Sequence, residues 1–377
     1  MLGVRVHITG SAATDCDTAL LRAANNFVRS FVAEVITRGG GLVLGVGGEV
    51  LGASGEPCIF DWTALEVVAA RPDLGLAWPP SHRERFIVVA SQRALEKIPE
   101  WRASVWQKCR ARTDFDLSLT PTGWRMAGII RERQVRCGDV LLVLGGGAGA
   151  EHLAELYQAE GKPVIAVDAD LGAISHDGKG GGSYLHKLAL SKAGMFFALR
   201  DGTGSSTARL TTLRLHSKSD VGLLASETAN LIADLRPPTA FYIRLLATDH
   251  VEFPSVERFF RDVVDVVVKD RGFTPREIGR DRPEAAFMNV EIFEMLHRAG
   301  LVIVDLTGVR ANCMMELGYA LGRRRRVVLS AKKGTSLPFD EDKLPTYMWE
   351  NSGALENRIG AYRDWLDRNI ELPPLIE

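Results

Sequence analysis

Residues 301–333 have the sequence LVIVDLTGVRANCMMELGYALGRRRRVVLSAKK, and this stretch decides the fold class. It opens with a continuous apolar run, Leu301–Leu306, which is typical of a strand buried on both faces. After a glycine-containing turn, the apolar residues have helical spacing over Cys313–Leu321, and a second apolar run follows at Arg326–Ser330. Strand, helix and strand in this order predict a parallel sheet with a crossover helix packed on one face.

The same order of elements occurs in the first half of the chain. Residues 140–168, VLLVLGGGAGAEHLAELYQAEGKPVIAVD, contain a strand, a glycine-rich turn, a helix and a second strand. At residues 236–238, Arg-Pro-Pro ends a helical stretch, because proline removes a donor and disfavours helix at the residue before it. We therefore predict an α/β protein with two Rossmann-like parallel-sheet domains in tandem, over residues 1–236 and 239–377, the second of which ends in a helix.

The composition narrows the class of protein. The 377 residues are 46% hydrophobic and 25% charged, and the formal net charge of -1 argues against a global attraction to nucleic acid or to a membrane surface. The five cysteines have neither disulfide-framework nor metal-ligand spacing, so we predict no metal site. Neither a signal peptide nor an apolar run of bilayer length is present. We expect a cytoplasmic protein that binds no membrane and no nucleic acid.

Three glycine-rich turns flank predicted strands in the first half. Glycine lets the backbone approach a phosphate closely, and the N–H groups at a helix start attract anions. Such turns also occur as plain tight connections, and that alternative stays open. Lys179 is a candidate phosphate contact, and Glu49 is a candidate ribose contact or turn cap. We predict a signal-nucleotide site formed by Gly10, Ser11, Gly47, Gly48, Glu49, Gly145, Gly146, Gly147, Gly149 and Lys179.

Two carboxylates are predicted to share the crevice of the second domain. Asp305 lies at the carboxyl end of a strand, and Glu316 lies in the first turns of the next helix. In a cleft, one carboxylate attacks or stabilises a glycosidic carbon while the other orients a hydroxyl. Asn312 is predicted to bond a ribose or to order the loop. We predict that these three residues are catalytic. The alternatives are that Asp305 caps a turn and that Glu316 is favoured at its position by the helix dipole.

Four further residues are predicted to bind the substrate: Tyr242, Arg244, Asn289 and Arg310. Arg244 is unusual in an apolar strand, since arginine is rarely buried unpaired. It is a candidate partner for a phosphate or a carboxylate, or a residue of an edge strand. Asn289 lies on a helix that can reach the same crevice. The run Arg323–Arg326 is interpreted as a solvated helix end, with contact to nucleic acid or a diphosphate as the alternative.

Several motifs in the first 200 residues carry a family resemblance. They are HITGS at 7–11, RGGGLVLGVGGE at 38–49, the stretch LLVLGGGAGAEHLAELYQAEGKPVIAV at 141–167, and GKGGGSY at 178–184. Together they resemble the SLOG superfamily, the Rossmann-like group that contains LOG phosphoribohydrolases and DprA/Smf proteins.

One motif departs from the LOG pattern. LOG enzymes carry PGGxGTxxE, whereas this chain has Ala150 in place of the threonine and Leu153 in place of the glutamate that supports catalysis. The resemblance therefore implies a nucleotide-binding sensor rather than a phosphoribohydrolase. Glu151 and His152 leave a catalytic alternative in this domain.

The second domain has a resemblance of its own. MELGYAL at 315–321 and DLTG at 305–308, with Asn312 after three intervening residues, resemble nucleoside 2-deoxyribosyltransferases and the related TIR-like nucleotide-processing domains. This resemblance implies that Glu316 is the nucleophile at an N-glycosidic bond. The transferase signature has an acid six residues before that glutamate, where this chain has Arg310. An arginine there suits a phosphorylated substrate such as NAD.

These observations predict a nucleotide-activated effector that cleaves, or transfers at, the N-glycosidic bond of a nucleotide such as NAD. The two resemblances imply a context of bacterial antiphage defence. We expect no required cofactor, with NAD or a related nucleotide as substrate and a cyclic or ADP-ribose-type nucleotide as activator. As partners we expect small nucleotides, further copies of the chain in a homo-oligomer, and a signal-producing enzyme. A LOG-type phosphoribohydrolase in the first domain and a non-catalytic nucleotide-binding regulator stay open as alternatives.

Overall fold

A computed structural model describes most of the protein in two compact units, residues 1–236 (unit 1) and 237–377 (unit 2). The described residues are 4–71, 84–121, 123, 126–200, 206–277, 292–293, 295–296, 299–323, 325–337 and 344–370. Within these ranges, no helix is long and apolar enough to cross a membrane.

Six parallel strands form the sheet of unit 1. They are β1 (Arg5–Thr9), β2 (Gly41–Leu44), β3 (Phe86–Ser91), β4 (Phe115–Thr120), β5 (Val140–Leu144) and β6 (Val164–Val167). Their spatial order is β4-β3-β2-β1-β5-β6, and every neighbouring pair is parallel. The side chains of β2, β3, β5 and β6 are buried throughout, because helices cover both faces of the sheet.

The helices of unit 1 form layers against this sheet. They are α1 (Thr18–Thr37), α2 (Asp61–Ala70), α3 (Gln92–Leu95), a 3₁₀ turn (Glu100–Arg102), α4 (Ala103–Arg110), α5 (Met126–Cys137), α6 (Ala148–Ala159), α7 (Gly181–Ser191), α8 (Ala193–Phe196), α9 (Ser206–Thr211) and α10 (Val221–Ala233). Two of them start at an aspartate cap: Asp17 accepts the Leu20 amide before α1, and Asp220 accepts the Leu223 amide before α10.

The strand order of unit 1 reverses between β1 and β5, and the loops after these two strands meet there. A Cβ on Gly10 would lie 1.9 Å from the carbonyl oxygen of Leu144, and the φ of Gly10 is 135°, so glycine is required. Next to this contact, the Gly146 amide donates to the Ser11 carbonyl at 2.7 Å. In open parallel sheets, such a reversal leaves a ligand crevice beyond the carboxyl ends of the strands.

Unit 2 has five parallel strands. They are β7 (Thr239–Ile243), β8 (Thr274–Arg276), β9 (Leu301–Asp305), β10 (Val327–Lys332) and β11 (Thr346–Trp349). The spatial order β11-β10-β9-β7-β8 reverses between β7 and β9. Two Rossmann-like α/β units in tandem, the fold that the sequence predicts, are therefore confirmed.

Two apolar layers cover the unit 2 sheet. The helices are α11 (Phe253–Phe259), a π turn (Phe260–Val264), α12 (Asp265–Asp270), α13 (Ala311–Gly322) and α14 (Leu355–Ile370). Tyr242 and Ile303 pack in the layer with α11, α12 and α14, whereas Phe241, Ile243 and Val304 pack in the layer with α13. This alternation follows from the two-residue period of a strand, and it decides which side chains pack against α13.

Gly10→Ala tests the contact at the reversal point of unit 1. We expect a loss of about 3 kcal/mol in the free energy of unfolding, because the new methyl group must displace backbone rather than a flexible side chain. Chemical denaturation of the full chain measures this loss. The control is Gly128→Ala in α5, where no atom lies within 4 Å of the added methyl group. Equal stability of the two variants would contradict the contact.

Candidate active site and nucleotide crevice

The loop from β9 to α13 forms part of the carboxyl edge of the unit 2 sheet. Gly308 has φ 79° and Val309 has φ 42°, the latter an uncommon backbone conformation for a β-branched residue. The Val309 amide donates to the Leu306 carbonyl at 3.0 Å and closes a tight turn. Strained turns of this kind persist where the surrounding structure holds them, and they are frequent at functional sites.

Asp305 is the buried anchor of this loop. Its Oδ1 accepts the Thr307 amide at 3.1 Å, and its Oδ2 accepts the Ser330 hydroxyl at 2.8 Å and the indole N–H of Trp349 at 2.7 Å. Burial raises the pKa of Asp305, and these hydrogen bonds oppose the rise. The side chain has no exposed surface, so both carboxylate oxygens accept hydrogen bonds from groups inside unit 2.

Glu316 has the opposite character. It is the sixth residue of α13, it is only partly buried, and it makes no hydrogen bond or ion pair within the described part of the chain. Burial raises its pKa to about 7. The positive end of a helix stabilises the ionised form and acts within the first turn, so a raised pKa does not fit the helix-dipole alternative. A carboxylate that titrates near neutral pH is suited to acid, base or nucleophilic chemistry.

Two other predicted residues lie on the same element as Glu316. Asn312 is exposed one turn before it, and helix geometry puts residues four apart on one face. Arg310 is exposed at the N-cap position of α13. Cys313 is not a nucleophile in this setting, because burial raises the pKa of its thiol to about 12.

Tyr242 lies on the sheet face away from α13. Its hydroxyl donates to Asp265 at 3.0 Å, and its ring packs edge-on against Phe260. These contacts put the side chain in the apolar layer with α11 and α12. The prediction that Tyr242 binds the substrate therefore has no support from this packing.

Arg244 follows β7, and its guanidinium is almost fully buried. It makes a two-pronged ion pair with Glu277 and a bond of 2.7 Å to Glu257. The residue thus has a carboxylate partner, as one of its predicted alternatives required, but both carboxylates belong to the protein. Its strand is internal to the sheet, so the edge-strand alternative is wrong. Asn289 lies outside the described residues.

The arginine run after α13 departs from the solvated helix end that we expected. Arg325 is buried, with 4% of its surface exposed. A buried guanidinium cannot contact a nucleic-acid backbone, so the alternative of nucleic-acid binding loses one of its four charges.

Sequence reasoning missed two residues at this edge. His250, in the loop after β7, lies against Gly308, and its Nδ1 accepts the Glu252 amide at 3.1 Å. Lys332, at the end of β10, donates from Nζ to Glu252 at 2.6 Å, and its amide donates to the Thr307 hydroxyl at 2.9 Å. The available signal was position, since polar residues directly after parallel strands lie at one edge of the sheet.

The crevice of unit 1 brings Gly10 and Ser11 next to the turn Gly145–Gly147, as expected from a shared sheet edge. The segment 177–182 covers this turn. Gly182 donates to the Gly145 carbonyl at 2.8 Å, and a Cβ on Gly181 would meet the Gly146 carbonyl. The glycines therefore pack backbone against backbone, which matches the tight-connection alternative for the part of the crevice that is covered.

Carboxylates already bind backbone amides around the start of α6. The Asp177 carboxylate accepts the Ala148 amide at 3.2 Å, and Glu151 accepts the amides of Lys179 and Gly181 at 2.7 and 3.0 Å. The ammonium of Lys179 lies over the ring of Tyr184. A phosphate at this helix start must therefore replace Asp177.

The other four residues predicted for the signal-nucleotide site are Gly47, Gly48, Glu49 and Gly149. Each of them lies against a side chain of unit 1. The Glu49 carboxylate is held by Arg102 and by the indole N–H of Trp101. Gly47 accepts the Trp62 indole N–H at 3.1 Å, and Gly48 lies near Lys97. Gly149 lies inside α6, against the guanidinium of Arg131. Arg131 also contacts His152, at 3.2 Å.

Comparison with known proteins identifies unit 1. The family model described as "ATP nucleosidase Cap17-like, N-terminal" matches residues 1–232, which is more than half of the chain. The chain belongs to this family. The matched region ends just before the boundary of unit 1 at residue 236, so the unit that carries Glu316 lies outside it.

Two curated relatives share the name ATP nucleosidase Cap17, one from Escherichia coli (strain KTE188) and one from Escherichia coli. Each is 29% identical over 176 residues, which cover 46% of this chain and 34% of the relative. The chain thus spans about a third of the relatives that it matches. A solved structure of a GCN5-related glucosamine N-acetyltransferase region from a fungal multi-domain GH3 β-N-acetylglucosaminidase aligns over 83% of this chain and 44% of its own, with 12% identity. The TM-score of this alignment is 0.18.

Glu316→Gln tests the raised pKa through stability. The folded protein holds a proton on Glu316 up to about pH 7, whereas the unfolded chain releases it near pH 4.5. Wild-type stability therefore falls as pH rises through this window. Above pH 7 we expect the variant to be more stable than wild type by about 1 kcal/mol, after allowance for solvent screening, and near pH 4.5 to be equal. Denaturation curves at several pH values measure the difference.

The matched control for this stability experiment is Glu155→Gln on α6, which changes an exposed carboxylate. We expect no such divergence from wild type for this control. A constant difference between Glu316→Gln and wild type from pH 4 to pH 8 would mean that Glu316 is not desolvated.

Asp177→Ala tests whether a carboxylate occupies a potential phosphate position. The variant should lose about 1 kcal/mol of unfolding free energy with this contact, and inorganic phosphate should then stabilise it more than wild type, because the Ala148 amide becomes free. Thermal melts with and without phosphate measure both effects. Asp220→Ala is the control, since it removes the cap of α10 at a site where we expect no gain from phosphate. An equal response of both variants would argue against a phosphate position at α6.

Proposed function

We propose that the protein is a nucleotide-controlled nucleosidase: unit 2 cleaves the N-glycosidic bond of a nucleotide, and unit 1 binds a signal nucleotide. The observation that carries the proposal is Glu316, a half-buried carboxylate with a pKa near 7 at the sheet edge where a parallel fold binds its ligands. The family of unit 1 supports the nucleosidase assignment, since its relatives are named ATP nucleosidases.

Glu316 acts in its ionised form in the proposed reaction. As the C1′–N bond breaks, its electron pair leaves with the base and C1′ gains oxocarbenium character, which the carboxylate stabilises or captures. Water then adds its oxygen to C1′ and gives up one proton. An adenine leaving group takes up a proton, whereas nicotinamide leaves NAD as a neutral base and the proton from water goes to solvent. The products are the free base and the phosphorylated sugar, which is ADP-ribose when NAD is the substrate. A second nucleoside base in place of water makes the reaction a transfer.

Asp305 has a supporting role in this proposal. Its two oxygens bind the interior of unit 2, so it positions the loop that leads to Glu316 rather than touching the ribose. Asn312, one turn from Glu316, is the candidate for ribose contact. This assignment replaces the shared-cleft pair of carboxylates with one reacting carboxylate and one buried anchor.

The substrate that we propose is phosphorylated. Arg310, at the start of α13, and Lys332, at the end of β10, bring cationic groups to this edge, where Lys332 pairs with Glu252. Cationic donors of this kind pair well with phosphate oxygens. NAD is our first candidate on the resemblance of unit 2, and ATP is the second on the name of the relatives.

Unit 1 is proposed as the sensor. Its crevice at the β1–β5 reversal is the expected place for a cyclic or ADP-ribose-type nucleotide, whose phosphate would displace Asp177. A ligand switches an enzyme only through differential affinity for two states, and assembly of copies is a common way to couple them. We therefore propose a cytoplasmic homo-oligomer that works with a signal-producing enzyme in antiphage defence.

The central experiment is product analysis with wild type and Glu316→Gln. Each protein is incubated with NAD, ATP and a panel of nucleosides and nucleotides, with and without candidate activators, and released base is measured by chromatography. We expect the variant to lose about a hundredfold or more in rate, because the reacting carboxylate is gone. Wild-type kcat/KM should rise with pH around pH 7, since the ionised carboxylate acts.

Glu356→Gln, at the exposed start of α14, is the matched control and should keep full activity. Equal rates for wild type and Glu316→Gln would remove unit 2 as the catalyst.

A second candidate places the nucleosidase reaction in unit 1, and its support is that the matched family covers this unit. Glu151 and His152 are then the residues to change. Retained activity in Glu316→Gln, together with loss in Glu151→Gln and His152→Ala, would favour it. The contacts of Glu151 argue against this candidate, because its carboxylate already accepts two backbone amides of the segment 177–182. Binding without turnover across the whole panel would instead favour a non-catalytic regulator.

A further inference from the structure

An open cleft of about 390 Å³ lies at the carboxyl edge of the unit 1 sheet, between the start of α1 and the loops after β6 and α9. This volume falls in the range of small-molecule sites, roughly 300–1,000 Å³. Two leucines give it apolar walls, and aspartates supply acceptor oxygens. The residues that decide its chemistry are Asp17, Leu20, Asp168, Asp170, Leu215 and His216.

Asp168 has the position in the fold from which parallel nucleotide-binding sheets recognise ribose. β5, the turn at Gly145–Gly149, α6 and β6 form one strand–helix–strand unit, and Asp168 is the residue directly after β6. In such units the phosphates lie at the glycine turn, and an acidic residue about 20 positions later accepts hydrogen bonds from ribose hydroxyls. Asp168 follows the glycine turn at this spacing.

The surroundings of Asp168 leave it able to accept further hydrogen bonds. Its Oδ1 accepts the Ser183 hydroxyl at 2.9 Å, and Ser183 opens α7 beside the glycine turn. Among the described residues, its Oδ2 meets only the distant guanidinium of Arg214, at 3.7 Å. One oxygen therefore fixes the carboxylate, and the other has capacity for donors that enter the cleft.

The charges of the cleft select among ligand classes. The three aspartates of the cleft outweigh the guanidinium of Arg214 beside Asp168, so the opening repels a phosphate group and the phosphate is not the part that enters. No set of three metal-ligating side chains occurs in the described ranges, so these carboxylates do not converge on a cation. Hydroxyl groups remain the donors that fit, and Leu20 and Leu215 give an apolar surface beside them.

We propose that this cleft binds the ribose of a signal nucleotide of the ADP-ribose type in unit 1, with Asp168 accepting from its free vicinal 2′ and 3′ hydroxyls, which a cyclic nucleotide does not offer. The proposal rests on the function of unit 1 as a nucleotide sensor, and it identifies the part of the nucleotide that is read there. A ligand without these hydroxyls loses the contact to the charged acceptor.

Calorimetric titration of the full chain tests the proposal with defined probes: AMP, ADP-ribose and NAD, and 2′,3′-dideoxy-AMP. We expect at least one ribose-bearing probe to bind, and AMP to bind about tenfold or more tightly than its dideoxy form, since hydrogen bonds to charged groups are the strong ones. Asp168→Asn should weaken the ribose-bearing probes by a similar factor and leave the dideoxy probe unchanged. Asp170→Asn, in the exposed wall, should weaken them as well. Asp116→Asn on β4, far from the cleft in strand order, is the control and should bind as wild type.

The outcomes separate this inference from the sensor function. Binding of nucleotides with no preference for the ribose hydroxyls, and no effect of Asp168→Asn, would overturn the ribose site, and the sensor function would stand if a probe still activated base release by unit 2. Absence of binding for every probe at millimolar concentration would overturn both. Competition by spermidine but not by nucleosides would show a site for organic cations and would also overturn the proposal.

Discussion

The buried carboxylate of Asp305 is the interaction on which unit 2 depends. It links β9 to Ser330 on β10 and to Trp349 on β11, and it accepts the Thr307 amide of the loop toward α13. Burial of a carboxylate is costly unless hydrogen bonds compensate it, and here three donors do so. These hydrogen bonds therefore hold the loop from β9 to α13 in place. Glu316, one helix later, has no such partners in the described structure and keeps a titratable group at the surface of the same edge.

Unit 1 is organised by a backbone contact at its own sheet reversal. Gly10 lies directly on the Leu144 carbonyl, so the turns after β1 and β5 are close enough to form one crevice. The protein then covers part of that crevice with its own acidic segment, in which Asp177 binds the start of α6. The covered turn and the open cleft at Asp168 divide the carboxyl edge into two regions with different chemistry. A nucleotide that bridges them must exchange one protein carboxylate for a phosphate.

The internal strands were predictable because continuous apolar runs mark strands that are buried on both faces. The strands that sequence reasoning missed, β4 and β11, lie at sheet edges, where burial alternates or is partial and the apolar signal weakens. Helix α6 begins at Ala148, inside the glycine turn, so the turn and the helix that the sequence separates overlap. For the site, the helix with Asn312 and Glu316 was predictable from local order, whereas the surroundings of Tyr242 and Arg244 were not.

By itself, the sequence determined the tandem parallel sheets, the glycine turns at their carboxyl edges and the helix that presents Glu316, because each depends on local periodicity and on residues close along the chain. Only the tertiary structure decided which carboxylate is an anchor and which is available. Asp305 meets Trp349 from 44 positions away, and Arg244 meets Glu277 from 33. Such pairs arise from the order of strands in the sheet and from the face that each side chain takes, and neither is written in local spacing.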